Sequence, residues 1–343
     1  MGSTAANQNQ SDSPSEWWRS LPFEYQSLKL TADSRPAGFR FSKHIVNIEA
    51  GFRNTQFLVC GEADSQEQAI TKAVAELLER TAMKNWLDEN PHLEIENSNG
   101  FAAHATEDLA RKAAIFERVE RDAVLAQWYT ATPFLLIAPE TLPIKLQAWR
   151  SSELAQSEFP NLKILLSTQG LGPSVTCNLM NRDGFGVSGH ATKADLLQAI
   201  ESAIAEACRA AHLYLRWSFW SDGLLLKSEE RNAHKVKPGA HALYYAYHEP
   251  FPAWMFGREM SWSEAEKFWA ERMQAFAQKA MPNFSFQVLL REPLVVGFAH
   301  SSDCFDLTWG PCDPAQILSS SANKRFASPI SERSLNRQPH IVS

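Results

Sequence analysis

The chain lacks several things that would have decided its class at once. Its clean apolar runs, such as Phe134 to Ala138 and Ile164 to Leu166, fall far short of the ~20 residues a membrane span needs. The first residues, MGSTAANQNQSDSPSE, have no apolar core, so they do not read as a signal peptide; they read as a disordered tail, taken as residues 1–20. Cysteine is sparse: five residues, Cys60, Cys177, Cys208, Cys304 and Cys312, with no C-x-x-C among them, so neither a disulfide framework nor a thiolate zinc site is favoured. Reduced thiols in a cytoplasmic protein are the expectation. Positive charge is not in excess either. With 33 Lys and Arg against 39 Asp and Glu the net charge is −6, and a broadly basic nucleic-acid surface is not indicated.

What is present is ordinary globular material. The 343 residues are 44% hydrophobic and 21% charged, enough for about two domains or one large one of mixed α and β structure. Helix patterns run from Gln66 to about Asp88 and from Glu107 to about Tyr129, with Pro91 and Pro133 beyond their ends. A third runs from Lys193 to about Ser218. A fourth spans Ser263 to Ala280, with Ser263 as N-cap and Glu266 at the capping-box position. Short apolar runs read as strands at Phe41–Ile48, Thr55–Cys60, Pro133–Ala138, Leu162–Ser167, Ser174–Leu179, Phe284–Leu290 and Leu294–Phe298. The elements do not follow strict βαβ alternation, so a doubly wound sheet is not expected and the fold class is α+β. The aromatic-rich stretch containing Trp217, Trp220, Tyr244, Tyr245, Tyr247, Trp254 and Phe256 reads as core or oligomer contact ahead of peptide binding.

The chemistry lies in an internal repeat. SQEQAITKAVAELLER (65–80) and TEDLARKAAIFERVER (106–121) align at an offset of 41, each opening on an N-cap residue and closing on Glu-x-x-Glu-Arg. A weaker third copy starts at Thr192 and places Glu206 14 residues on, as Glu79 follows Ser65 and Glu120 follows Thr106. Glutamates three apart share a helix face. Carboxylates converging from two or three helices must protonate or hold cations, and oxygen-only ligands favour Mg²⁺, which commonly serves substrate phosphates. The plainer alternative makes Glu76–Arg80 and Glu117–Arg121 ordinary i,i+4 pairs on solvated helices.

These residues resemble the YcaO family. The strongest stretch is Ser98–Tyr129, SNGFAAHATEDLARKAAIFERVERDAVLAQWY, similar to the family's Ser-x-Gly-x-Ala followed by a helix ending Glu-x-x-Glu-Arg-Asp-Ala. Gly61–Arg80 and Gly189–Ala211 resemble two further family blocks, and Asn336-Arg337-Gln338-Pro339-His340 the closing Asn-x-x-Pro-His. The resemblance implies a YcaO-like fold with mixed sheets and long helices over residues 21–343, with a C-terminal tail, 326–343, reaching the active site. It implies ATP and Mg²⁺ as cofactors and an ATP-dependent cyclodehydratase. In such enzymes a backbone amide oxygen of a precursor peptide attacks the γ-phosphate, and Cys, Ser or Thr side chains close onto the amide carbon as thiazoline or oxazoline.

By motif match, Glu76, Glu79, Glu117 and Glu120 are metal ligands and Glu206 a Mg²⁺–ATP contact. Arg80 and Arg121 are nucleotide contacts or structural partners of these carboxylates. Ser98 and Asn99 form a turn facing phosphates, or a plain turn. The expected base is the terminal carboxylate of Ser343 or the ring of His340. Three departures stand out. Gly61-Glu62-Ala63 replaces a frequent Gly-Lys, Arg209 stands where Gln is frequent, and Ala211 where Arg is frequent. The expected partners are a precursor peptide, a separate leader-peptide-binding protein, a flavin-dependent dehydrogenase, and further copies of the chain or a hetero-complex, with no nucleic acid and no membrane. A thioamide- or amidine-forming relative, or a nucleotide-binding scaffold without turnover, are the alternatives.

Overall fold

The structure is a computed structural model describing residues 21–33, 44–92, 98–219, 244–247, 249–307, 313–338 and 340–341. The expected N-terminal tail 1–20, Trp220, Pro339 and Ser343 lie outside these residues, as do the side chains of Trp217, Tyr244 and Tyr247.

Three sheets carry the long helices. In the first, β1 (Ser27–Asp33), β2 (His44–Phe52) and β3 (Thr55–Ala63) pair antiparallel in that order. Helix α1 (Gln66–Glu89) packs on it through Ala69, Ile70, Ala73, Val74, Leu77 and Leu78, all 4% exposed or less. Strand β4 (Phe101–His104) then joins the second sheet, whose order is β10-β11-β4 (β10, Ser285–Leu290; β11, Val295–His300). Helix α2 (Glu107–Tyr129) lies on that sheet through Ala114, Ile115 and Val119, and its C-terminal half runs buried on every side.

The third sheet has five strands, β8-β7-β6-β5-β9. These are β5 (Phe134–Ile137), β6 (Asn161–Leu166), β7 (Val175–Met180), β8 (Gly186–Ala191) and β9 (Phe256–Met260), and β5–β9 is the parallel pair among them. Helix α3 (Ile144–Ser152) leads into β6. Helix α4 (Leu196–Phe219) covers β7 and β8 through Ala199, Ile200, Ala203, Ile204 and Ala207. Helix α5 (Trp262–Lys279) adds Ala265 and Trp269 to this core and Phe276 to the core beneath α2. The α+β architecture is as read from the pattern.

Local chemistry explains the helix starts, and two expectations need correction. Ser65 and Thr106 cap α1 and α2 by accepting from the amides of Gln68 and Leu109. Thr192 does not cap α4. Its hydroxyl donates to the Pro173 carbonyl (2.8 Å), and Asp195 accepts from the Gln198 amide instead (2.9 Å). The helix therefore starts at Leu196 rather than Lys193. With Asp195 as cap, Glu206 stands 11 residues along its helix, in register with Glu76 and Glu117 rather than Glu79 and Glu120. Likewise α5 is capped by Ser261 with Glu264 closing the capping box, two residues before the expected Ser263 and Glu266.

Two glycines set the spacing of strand and helix. A Cβ on Gly61 in β3 would lie 1.9 Å from the Ala69 carbonyl oxygen of α1, and one on Gly189 in β8 would lie 2.1 Å from the Ala203 carbonyl oxygen of α4. Glycine is what allows backbone to approach backbone there. Tyr245 and Trp254 surround Trp128 at ring distances of 5.7 and 5.1 Å, so the described aromatics of that stretch belong to the core.

Candidate active site

A cleft of about 760 Å³ opens where α1, α2 and α4 converge over β4 and β8. Its walls carry Glu79 from α1, Glu117, Glu120 and Arg121 from α2, and Glu206 and Arg209 from α4. Six of the residues singled out in the sequence are thus brought together. Glu76 and Arg80 are not among the lining residues. Arg80 donates to Glu76 Oε1 through Nε (3.2 Å) and Nη2 (2.9 Å), and the Cys60 amide reaches Glu76 Oε2. For this pair the i,i+4 alternative describes the geometry. Ser98 and Asn99 sit in the turn before β4, with Asn99 3% exposed, and neither lines the cleft.

Arg121 is the electrostatic centre. Its side chain is 12% exposed and lies 3.5 Å from Glu120 and 3.6 Å from Glu206, not on its i−4 neighbour. One guanidinium ion is shared among more carboxylates than it can neutralise. Burial pushes Glu117 up to about 8, relieved by Arg121 and reinforced by Glu120. Burial likewise pushes Glu120 up to about 7 against the pull of Arg121. Glu79 is held well above the carboxylate range by burial and then by the charge of Glu117. Burial also opposes ionisation of Glu206, but the Arg121 guanidinium and further donors outweigh it and hold this carboxyl below its usual range. The protein alone therefore leaves the cleft short of positive charge.

Several cleft residues were not among the candidate site residues read from the repeat. Glu62, 4% exposed, had counted only as a departure from the family pattern; it lies in the wall with Arg209 Nη1 at 3.9 Å. Lys72 lines the cleft and donates to the Glu62 carbonyl oxygen at 2.8 Å. The backbone amide of Thr192 donates to Glu120 at 3.2 Å, and Lys193 follows it on the rim. His190, at 3% exposure, donates its backbone N–H to Glu206 at 2.5 Å. Burial lowers its imidazole to about 4, so the ring is neutral. The resemblance of Gly189–Ala211 to a family block touched the end of β8, but no periodicity in Gly-Val-Ser-Gly-His-Ala marks the strand as a cleft wall. His340, a candidate base, is 1% exposed and is not a lining residue. Ser343 lies outside the described residues.

The donor chemistry fits a hydrated magnesium ion with a polyphosphate. The acidic floor offers oxygen atoms alone, and Arg121 Nη1 is buried with no hydrogen-bond partner among the described residues. No three His, Cys, Asp or Glu side chains among the described residues stand close enough for a closed metal centre. Oxygen donors of this kind suit Mg²⁺, which keeps several waters and takes one or two carboxylates besides substrate phosphates.

The fold is shared with solved structures. One is a heterocyclase in complex with substrate and cofactor (TM-score 0.59, 13% identity), which the match covers over 91% of this chain and 54% of that one. This chain thus spans about half the length of that heterocyclase. Another is the YcaO protein of Methanopyrus kandleri bound with AMPPCP and Mg²⁺ (TM-score 0.54, 14% identity, 80% of this chain and 85% of that one). A third is the McbBCD microcin synthetase complex of E. coli with pro-MccB17 bound (TM-score 0.52, 12% identity, 80% and 88%). No curated protein matches the chain in sequence. The family described as YcaO cyclodehydratase, ATP- and Mg²⁺-binding, matches residues 85–281, more than half of the chain. The protein belongs to the YcaO family, and its cofactors are ATP and Mg²⁺.

Proposed function

We propose that the protein is an ATP-dependent cyclodehydratase that activates backbone amides of a ribosomal precursor peptide and forms thiazoline or oxazoline rings from Cys, Ser or Thr. The observation that carries this reading is the set of buried carboxylates from three helices around Arg121, with Glu117 up to about 8 and Glu120 up to about 7. Phosphoryl transfer asks a protein mainly for positioning and charge neutralisation, and bound Mg²⁺–ATP would supply the phosphoryl group that turns an amide oxygen into a leaving group. Glu79, Glu117 and Glu120 would hold hydrated Mg²⁺, one or two of them directly and the rest through its waters, and Glu206 the metal–nucleotide complex, while Arg121, Arg209, Lys72 and Lys193 would meet phosphate oxygens. Residues 21–343 would form one catalytic unit, with the tail 326–343 lying along the cleft wall. The hydrogen bonds of Asn336 to Tyr129, Gln338 to Trp128 and Ile341 to His190 support that course.

The names of the neighbours support the substrate class: one heterocyclase holds a substrate and the microcin synthetase complex holds a pro-peptide. This reading pairs the chain with a separate leader-peptide-binding protein, and with a flavin-dependent dehydrogenase where the azolines are oxidised further to azoles. We place the reaction in the cytoplasm, which suits the reduced thiols of Cys60, Cys177 and Cys304. No described helix is long and apolar enough to cross a membrane.

One observation favours a second reading. Arg209 is drawn toward the buried Glu62 (3.9 Å), which removes part of the positive charge offered to phosphates, as a nucleotide-binding scaffold without turnover would tolerate. Reconstitution with a precursor peptide and a leader-peptide-binding partner separates the readings. Loss of one water per ring supports the cyclodehydratase, exchange of oxygen for sulfur a thioamide-forming enzyme, and absence of ATP turnover the scaffold.

A further inference from the structure

His190 touches both the cleft and the C-terminal segment. Its backbone N–H donates to Glu206 Oε2 at 2.5 Å, while its ring Nε2 lies 3.0 Å from the carbonyl oxygen of Ile341, 151 residues away in sequence. A carbonyl only accepts, so Nε2 carries the proton and Nδ1 is the acceptor. The partner of Nδ1 is the Thr176 hydroxyl at 3.0 Å, directly across the β7–β8 ladder. Both ring nitrogens are committed, and Thr176, His190 and Ile341 are all 4% exposed or less, so water does not replace either bond. Upstream, the same segment is tied to the end of α2, by the Asn336 amide on the Tyr129 carbonyl (3.0 Å) and the Trp128 indole on the Gln338 carbonyl (3.0 Å). The bond to His190 joins the segment to the cleft wall.

We infer that His190 is a positioning residue that clamps the C-terminal segment to the nucleotide cleft, so that a ligand engaging Glu206 is felt at Ile341. The inference rests on the proposed function in one respect, that the cleft takes Mg²⁺ and a nucleoside triphosphate. Coupling of this kind is reciprocal. Occupancy at Glu206 settles β8 and with it the segment, and a docked segment favours the occupied cleft.

Hydrogen exchange of residues 335–341, with and without Mg²⁺–AMPPCP, tests this in the full-length protein. In the wild type the nucleotide should slow exchange at least about threefold. His190→Leu should exchange about tenfold faster, equal to roughly 1.4 kcal/mol, and should not respond to nucleotide although it still binds it. His190→Gln, whose side-chain amide can donate to the Ile341 carbonyl, should restore both protection and response. Thr176→Val, which keeps the ring but frees its tautomer, should fall between them and carries the test if His190→Leu fails to fold. Unchanged protection in His190→Leu, or in Thr176→Val where that variant carries the test, or a His190→Gln that behaves like leucine, would overturn the clamp. A wild type that binds no Mg²⁺–AMPPCP would overturn the cleft reading and with it the coupling, while the protection difference among variants would still decide whether His190 holds the segment.

Discussion

Raising the pH of the nucleotide-free protein removes protons from a cleft that has too few cations, and the fold should weaken as it does so. Glu117 and Glu120 are raised to about 8 and about 7, whereas in the unfolded chain both ionise near the ordinary carboxylate value. Between those limits the folded state binds protons that the unfolded state has released, so stability is full at low pH and falls as pH rises through the folded values. His190 acts in the opposite sense. Its ring is lowered to about 4, so folding loses stability below the unfolded histidine value near ~6.5. The clean window is therefore about pH 6.5 to 8, where Glu117 and Glu120 together hold roughly one proton that the unfolded chain has released, and Glu79, also raised, adds to it. At about 1.4 kcal/mol per proton and pH unit, that is a loss of at least about 2 kcal/mol. Urea unfolding at fixed ionic strength across this window measures it. Mg²⁺–AMPPCP should flatten the slope, because the cation takes over the proton's role, and Glu117→Gln should flatten it without ligand. Stability that is level or rises from pH 6.5 to 8 in the free protein would refute the description of the cleft as starved of positive charge.

Other consequences follow from single residues. Glu120→Gln should remove most phosphate release, a cost of several kcal/mol in the transition state, with little change in unfolding temperature; undiminished release in a steady-state phosphate assay would exclude Glu120 as a metal ligand. Gly189→Ala should drive α4 off β8, because its Cβ would meet the Ala203 carbonyl oxygen at 2.1 Å and the Ala207 nitrogen at 2.3 Å. Calorimetry should show at least about 2 kcal/mol of lost stability, together with weaker nucleotide binding through the displaced Glu206. Asp122, with 0% exposure, accepts from the amides of Leu171 and Phe305 and from Arg325. Asp122→Ala should cost about 3 kcal/mol by leaving Arg325 without its counter-ion, measured by denaturant titration.

Helices α1 and α2 were legible almost to the residue, because Ser65 and Thr106 stand alone as caps ahead of strongly patterned runs. The start of α4 was not, because Thr192 and Asp195 are both acceptable caps, and only the tertiary bond from Thr192 to Pro173 decides between them. Ser261 and Ser263 posed the same ambiguity for α5. Strand β8 escaped notice although it is buried throughout, because Gly-Val-Ser-Gly-His-Ala has no apolar run; its burial comes from α4 pressing on Gly189, which no local pattern reports. The carboxylate repeat pointed to residues that the structure brings together in one cleft, but not to every residue that lines it. Glu76 turns to Arg80, while Glu62, Lys72 and His190 enter through strand and helix packing that the 41-residue offset does not encode.

The most direct test of the cleft is titration calorimetry of AMPPCP into the wild type and Glu120→Gln, each with Mg²⁺ and with EDTA. The carboxylate account predicts binding by the wild type in Mg²⁺ that weakens at least about tenfold, or about 1.4 kcal/mol, when the metal is removed or Glu120 is neutralised, with no further loss when both changes are combined. Equal affinity with and without Mg²⁺, or a Glu120→Gln protein that binds as the wild type does, would contradict it.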